Sequence, residues 1–432
     1  MAFETASRTY RNKFYRMKNF LLAFPEPEKL FKETKDIDFP EYREANCHIH
    51  TPYSFSAFPE LDTAFRLAKK ENISVLGIND FYVTDGFEAF HDGCIEHGIF
   101  PLFNIEFIGL IPEEQKNGIR INDPNNPGRI YFSGKGLDYP FETGWKQKRQ
   151  LKNVKKESQN QVKAMIGKLN EIIQKENPSL YMSYDLVKNE YAHELVRERH
   201  IAKALRMMAL RRFSEPEKQV DFLEKLYGKK SKAGISDSAA LENEIRSNLL
   251  KSGGAAFVPE DESSFLDLSR IIKIIINSGG IPCYPVLLDD PSGKLTEFEQ
   301  DKENLYSALK KLKVECIEFI PGRNDINMLR DYVNFFNEKG FIITFGTEHN
   351  TPELIPLMVT ARGGVQLDES LKKIAWEGAC IIAAHQYLRA DGRQGYVLRD
   401  GRHSVDQKKE LAKLGHLIIE YYIKKYNETR NS

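Results

Sequence analysis

Cysteine is scarce in this chain and never paired. Five cysteines (Cys47, Cys94, Cys283, Cys316 and Cys380) are spread over 432 residues, with no Cys-x-x-Cys pair. That excludes a disulfide framework and a structural zinc knuckle, and leaves the five reading as small apolar residues. Net charge is also missing. Lys plus Arg number 62 and Asp plus Glu number 62, which excludes broad electrostatic attraction to nucleic acid or a membrane surface. No apolar run approaches the length needed to span a bilayer. The first ten residues, Met1 to Tyr10, lack the apolar core of a signal peptide, so the expected location is cytoplasmic. What remains is an ordinary globular composition, 41% hydrophobic and 29% charged. A chain of this length holds two or three domains, or one barrel with insertions.

The chemistry starts at Cys47-His48-Ile49-His50-Thr51-Pro52. In an extended segment, residues two apart share a face, so His48 and His50 project side by side. Two imidazoles at a fixed separation are half of a metal site. Thr51-Pro52 ends the strand just after the pair, and sites in parallel barrels lie at carboxyl ends of strands. Alone, a His-x-His also fits two polar residues at a strand end. Three further runs end or break on ligand-type residues: 74–80 on Asp80, 99–107 on Glu106, and 341–349 on Glu348 and His349. Each acid alone is commonly a helix cap or a solvated charge. Together they offer the imidazole and carboxylate donors of a divalent metal site.

The rest of the chain supplies a frame. Residues 1–42 read as an N-terminal extension, with a helix from Tyr15 to Phe24 ended by Pro25-Glu26-Pro27 and aromatics that pack on the main body. Strand–helix units follow: a helix over Glu60 to Glu71 capped by Asp62, a strand to Asp80, a helix from Asp85 to His97 closed by Gly98, and a strand carrying Glu106. This alternation predicts a parallel sheet or barrel. Residues 143–262 read as an inserted helical subdomain, its lysines a solvated face, placed where it can cover the mouth of the site. From 263 the rhythm returns, with strands at Ile281–Pro285, Cys316–Ile320 and Phe341–Gly346. The divisions expected are therefore 1–42, a barrel from 43–142 and 263–352, the insertion 143–262, and a helical region 353–432.

These residues resemble the PHP (polymerase and histidinol phosphatase) superfamily. His48-Ile49-His50-Thr51 with Tyr53-Ser54, then Gly77-Ile78-Asn79-Asp80, then Ile105-Glu106, look like its first motifs. The segment from Arg199 through His200-Ile201-Ala202 to Leu205 is similar to the Arg-Pro-His-Ile-Ala element of its nucleotide- and phosphoester-cleaving branch. Gly279-Gly280-Ile281 through Pro285 and Gly346-Thr347-Glu348-His349 resemble two later motifs, so the resemblance covers roughly 43–352. It implies an α/β fold, a distorted (β/α)7 TIM-like barrel with a helical insertion, to which the residues after 352 add a helical C-terminal tail. It also implies a metal-dependent phosphoesterase using one or two divalent ions (zinc, manganese or iron) on a small phosphorylated or nucleotide-like substrate, in which metals activate water and neutralise phosphoryl charge.

Carried onto this chain, the resemblance makes His48, His50, Glu106, Glu348 and His200 the metal-ligand candidates. Asp80 and His349 become candidates for a second ligand set or a proton acceptor, and Arg199 and Arg323 for phosphate contact. The chain departs from the family pattern at named places. Phe81 stands where a histidine follows the second-motif acid, Tyr131 and Tyr284 replace two further histidines, Glu348 replaces an aspartate, and His349 comes one residue early. The departures leave open a PHP-shaped protein that binds without cleaving, and a metal hydrolase with a non-phosphate substrate.

Overall fold

The structure is a computed structural model. It describes residues 19–33, 42–55, 58–234, 236–288, 295–351, 353–398, 400, 401, 403, 404 and 407–428. The first four residues of the helix expected over Tyr15 to Phe24 fall outside these. Its described end, Phe20–Ala23, is a single 3-10 turn, followed by a short helix Pro27–Glu33.

Eight strands form one mixed sheet: β1 Glu44–Ile49, β2 Ile73–Phe81, β3 Phe100–Leu110, β4 Arg129–Lys135, β5 Leu266–Asp267, β6 Ile281–Val286, β7 Cys316–Phe319 and β8 Ile342–Phe345. Seven follow the path β1-β2-β3-β4-β6-β7-β8, while the two-residue β5 pairs with β3 off that path. The path bends back on itself. Just beyond β8, Glu348 bridges Ile49 in parallel, and the Glu348 N–H donates to the His48 carbonyl at 2.9 Å. The result is a distorted, nearly closed seven-stranded barrel with a helical insertion and a helical C-terminal region.

One strand breaks the parallel expectation: β4 runs antiparallel to both β3 and β6. Parallel neighbours need a crossover of a dozen or more residues, usually a helix. Between β3 and β4 the only helix is the five-residue Pro112–Lys116, so the chain returns as a wide hairpin. The other strands keep their carboxyl ends at one end of the barrel. β3 is buried at every position, as a strand covered on both faces must be.

The outer helices include α1 Leu61–Lys70 and α2 Phe87–His97. α1 buries Ala64, Phe65 and Ala68 against the sheet, while its N-cap is Glu60 rather than Asp62, whose carboxylate pairs with Arg66. Gly98 ends α2 in the left-handed conformation, φ 67°. The insertion contributes α3 Trp145–Glu176, α4 Tyr184–Tyr191, α5 Glu198–Arg212, α6 Pro216–Tyr227 and α7 Ser238–Ile245, with a buried cluster of its own from Val162 to Ala256. Three more, α8 Leu268–Asn277, α9 Lys302–Lys311 and α10 Ile326–Glu338, alternate with β5 to β8. Two long helices close the chain, α11 Glu369–Ala390 and α12 Lys408–Glu428. α11 is buried on nearly every side and packs on β8 and β1, so this part of the C-terminal region belongs to the barrel core. The five cysteines are buried and free. Among the described residues no helix is long and apolar enough to cross a membrane.

One core histidine predicts an acid response. His385 on α11 accepts from the Tyr396 N–H at Nδ1 (2.9 Å) and donates from Nε2 to the Gly279 carbonyl (2.6 Å). Burial, with Arg389 adding to it, lowers its pKa to about 3. An unfolded histidine titrates near about 6.5, so in between the unfolded chain binds the extra proton and stability falls as pH drops, by up to about 1.4 kcal/mol per pH unit. Denaturant unfolding from pH 7 down to 5 is expected to show this slope. It should be shallower in His385→Asn, which keeps a donor and an acceptor; an unchanged slope would sink the assignment.

Candidate metal centre

β1 delivers the histidine pair as the two-residue spacing requires. His48 is its penultimate residue and His50 follows its end, and both are buried. Their ring centroids lie 5.0 Å apart and their Nε2 atoms 3.5 Å apart. Glu106 on β3 points at the pair, with Oε2 3.2 Å from His50 Nε2 and 3.7 Å from His48 Nε2. One donor atom from each of the three lies within 4.8 Å of the others. The close approach of β8 fixes the distance: a Cβ on Gly346 would sit 2.3 Å from His48 Cβ.

Two polar atoms here have no hydrogen-bond partner, His50 Nδ1 and Glu106 Oε2. Burial raises the Glu106 pKa to about 8; His48 opposes the rise, and Glu348 and Glu318 add to it. Burial, together with His48, lowers the His50 pKa well below the usual histidine value, which favours the neutral ligating form. A buried carboxyl group with an unpartnered oxygen and two imidazoles, one with an unpartnered ring nitrogen, are the donor chemistry of a zinc-like divalent ion. The residues therefore fit the metal that the sequence resemblance implies.

The remaining predicted residues divide. Glu348 comes to the edge of the site, within electrostatic reach of His48 and His50. Its Oε2 is 2.5 Å from Arg323 Nη2. Burial pushes its pKa up, but Arg323 and the two histidines outweigh burial and hold it below the usual carboxylate value. Asp80 is not brought to the pair. On β2 it faces away from Asn79 and Phe81, and its oxygens accept from the Thr51 N–H (2.7 Å) and from the Thr51 and Ser54 hydroxyls. It clamps the turn after β1, and burial raises its pKa to about 7 against those hydrogen bonds.

His349 is turned aside. Glu348 and His349 both have positive φ, 67° and 45°, a left-handed turn uncommon outside glycine. The turn sends the His349 ring to Thr347 Oγ1 (2.6 Å) and the Ile355 carbonyl (2.9 Å), stacked on Phe58. His200 lies in the first turn of α5, where Nδ1 accepts from the Arg197 N–H at 2.9 Å; its Nε2 has no partner, and burial lowers its pKa to about 3. Arg199 is 6% exposed, donates to Asn243, and stands over the Phe55 ring.

The aromatic residues read from the sequence as departures from the resembled pattern have distinct surroundings. Phe81 stacks on His50 at 4.7 Å, and Tyr131 packs on Phe81 at 6.3 Å, so both wall the site. Tyr284 is engaged elsewhere: its hydroxyl donates to Glu299 at 3.0 Å.

Four contributors are not among the candidate residues named from the sequence, although Asn79 lies within a quoted motif. Asn79 Nδ2 lies 3.0 Å from His48 Nε2 and donates to Ser133. Glu318 on β7 meets His48 Nδ1 at 2.7 Å, and Lys135 on β4 meets Glu318 at 2.7 Å. Arg197, at the start of α5, lies over the Phe81 ring at 4.8 Å. Only an acid inside the otherwise apolar β7 signalled the Glu318–Lys135 pair; Lys135, the last residue of β4, gave no signal. The insertion thus reaches the site, where the Leu195 N–H also bonds to the Tyr53 carbonyl at 3.0 Å. A cleft of about 490 Å³ opens between α4 and the turn after β1, lined in part by Phe55, Phe58, Lys188, His193 and Lys203.

No family model matches the sequence. A segment of 62 residues, 14% of this chain, is 39% identical to DNA polymerase III subunit alpha from Staphylococcus aureus, strains Mu50 and N315 alike. The chain spans about 6% of the length of those curated relatives. Two solved structures are similar at 14% sequence identity. One, assigned as a metal-dependent phosphoesterase from Bifidobacterium adolescentis, matches 78% of this chain and 96% of its own, with a TM-score of 0.49. The other, an amidohydrolase from Chromobacterium violaceum with bound sulfate and no metal, matches 77% and 96%, with a TM-score of 0.46. The fold is a nearly closed mixed barrel with a helical insertion, and its similarity to the polymerase subunit is confined to the 62 matched residues.

Proposed function

We propose that the protein is a metal-dependent hydrolase whose substrate is a small phosphoester. The observation that carries this is the His48–His50–Glu106 cluster, with its unpartnered Glu106 Oε2 and His50 Nδ1. In this reading those three residues hold one divalent ion, zinc, manganese or iron, and Glu348 borders it. One ion suffices because the other acids are engaged: Asp80 by Thr51 and Ser54, Glu318 by Lys135 and His48, and Glu348 by Arg323. When bound, such an ion supplies Lewis acidity toward a phosphoryl oxygen and lowers the pKa of water.

The chain's own groups do the rest. Arg197, Arg199 and Arg323 stand around the mouth and offer guanidinium donors to anionic oxygens. Phe55, Phe81 and Tyr131 wall the histidines and limit water. The cleft beside Phe55 is the approach, and its size suits a small molecule. A second reading, metal binding without turnover, is favoured by one observation: Asp80 and His349, the proton-acceptor candidates, are both bonded elsewhere.

The deciding experiment is turnover of aryl phosphate mono- and diesters by the full chain loaded with each metal in turn. Metal-dependent turnover that falls by about 1,000-fold or more in Glu106→Gln is expected for an enzyme that relies on its metal. Metal binding with no turnover on any ester would replace the hydrolase reading with the binding one. Arg197→Ala, which leaves the three donors in place, is expected to raise KM more than it lowers kcat.

A further inference from the structure

Inside the barrel lies a buried ion pair that the proposed chemistry does not use. Lys135 on β4 and Glu318 on β7 are both 0% exposed, with Nζ 2.7 Å from Oε1. Taking two charges out of water costs several kcal/mol per ion, so such a pair is weak evidence of stabilisation by itself. Its geometry points to another role. The two Glu318 oxygens are divided: Oε1 takes Lys135, with Thr344 Oγ1 at 3.4 Å, and Oε2 takes His48 Nδ1 at 2.7 Å. Carboxylate and ammonium come from strands far apart in sequence and meet only across the barrel.

We infer that Glu318, anchored by Lys135, is a positioning residue that sets the His48 tautomer and ring orientation for metal binding. A carboxylate at Nδ1 requires the proton on that nitrogen. Nε2 then carries the lone pair, and Nε2 is the atom that faces His50 and Glu106. Outer carboxylates of this kind fix a ligating histidine, and removing them typically weakens metal binding by about 10–100-fold. Lys135 reaches the Cys47 carbonyl at 3.5 Å as well, so it ties Glu318 to the strand that carries His48. Neither residue touches the ion; both act through His48. The inference rests on the metal-centre reading above.

The test uses the full chain and cobalt(II), whose visible spectrum reports coordination geometry. Glu318→Leu alone strands a buried ammonium, so the informative variant is Glu318→Leu/Lys135→Met, which removes both charges at similar volume. Replacing a buried pair with apolar residues is often neutral or stabilising, so the metal-free unfolding midpoint is expected to hold. Cobalt affinity by chelator competition is expected to fall about 10–100-fold, with an altered spectrum at saturation. Glu318→Gln/Lys135→Met returns an oxygen to Nδ1–H and is expected to recover part of the loss. Wild-type affinity and spectrum in Glu318→Leu/Lys135→Met would overturn the positioning role and leave the metal centre standing. No cobalt bound by the wild type would overturn the metal centre, and with it this inference. If the apolar double variant fails to fold, Glu318→Gln/Lys135→Met decides by the same spectrum: an unchanged one supports an oxygen-positioned His48, and a changed one overturns it.

Discussion

Replacing His48 and His50 together by alanine is expected to abolish binding of a divalent ion. Elemental analysis of protein purified without chelators or a metal-binding tag should give about one ion per chain for the wild type, as expected of a single three-donor centre. It should give close to none for the variant. The size of the effect follows from the donor count. The cluster offers three donors within 4.8 Å, and the variant keeps only Glu106. Burial raises the pKa of that acid to about 8, although His48 opposes the rise, so it is protonated for much of the time at neutral pH and a poor ligand alone. Loss of a single outer partner of a ligand already weakens binding by about 10–100-fold, and losing two of three donors must exceed that. The fold should survive, because both rings border a polar pocket and the strand pairing is made by backbone groups. Two ions in the wild type would contradict the single-ion reading, and an undiminished ion in the variant would place the metal elsewhere.

The second large effect is on stability and comes from two glycines that ordinary helix rules would mark for improvement. Gly to Ala inside a helix usually stabilises by about 0.5–1 kcal/mol. Here the sign reverses. A Cβ on Gly378 of α11 would lie 1.9 Å from the Ile343 carbonyl oxygen of β8, and one on Gly415 of α12 would lie 1.8 Å from the Cys380 carbonyl oxygen of α11. Both obstacles are backbone, so an element must shift rather than a side chain rotate. The two contacts stack α12 on α11 and α11 on the barrel. Overpacking of this kind costs about 1–3 kcal/mol, occasionally more, and should outweigh the gain in propensity. Gly378→Ala and Gly415→Ala are each expected to lower the denaturant midpoint by about 2 kcal/mol or more in free energy. A midpoint at or above wild type in both would show that the helices are free to separate.

Much of the frame was legible because local patterns carry it. The apolar runs that became β2, β3, β6, β7 and β8 fall within a few residues of their predicted positions, and Gly98 ends its helix in the left-handed conformation. β4 escaped as an antiparallel strand, because direction depends on the length of the connection and not on the strand's own residues. α11 read as part of a tail, although its burial on nearly all sides makes it core, and a helix apolar all round shows no stripe to mark its partner.

In the candidate site the division is sharper. The sequence determined that His48 and His50 share a face, since strand alternation leaves no choice, and that Glu106 lies in a buried strand. It could not say where Asp80 and His349 would turn. Asp80 sits one residue from the inward-facing Asn79 and Phe81, and a shift of one residue reverses the face of a strand side chain. His349 follows a left-handed turn that a non-glycine sequence does not announce. Nor could it join His48 to Glu318 and Lys135, which lie 270 and 87 positions away. Short-range order fixes which way a side chain points. Which groups it meets across the barrel is decided only when β8 closes against β1 and brings distant strands within about 5 Å of one another.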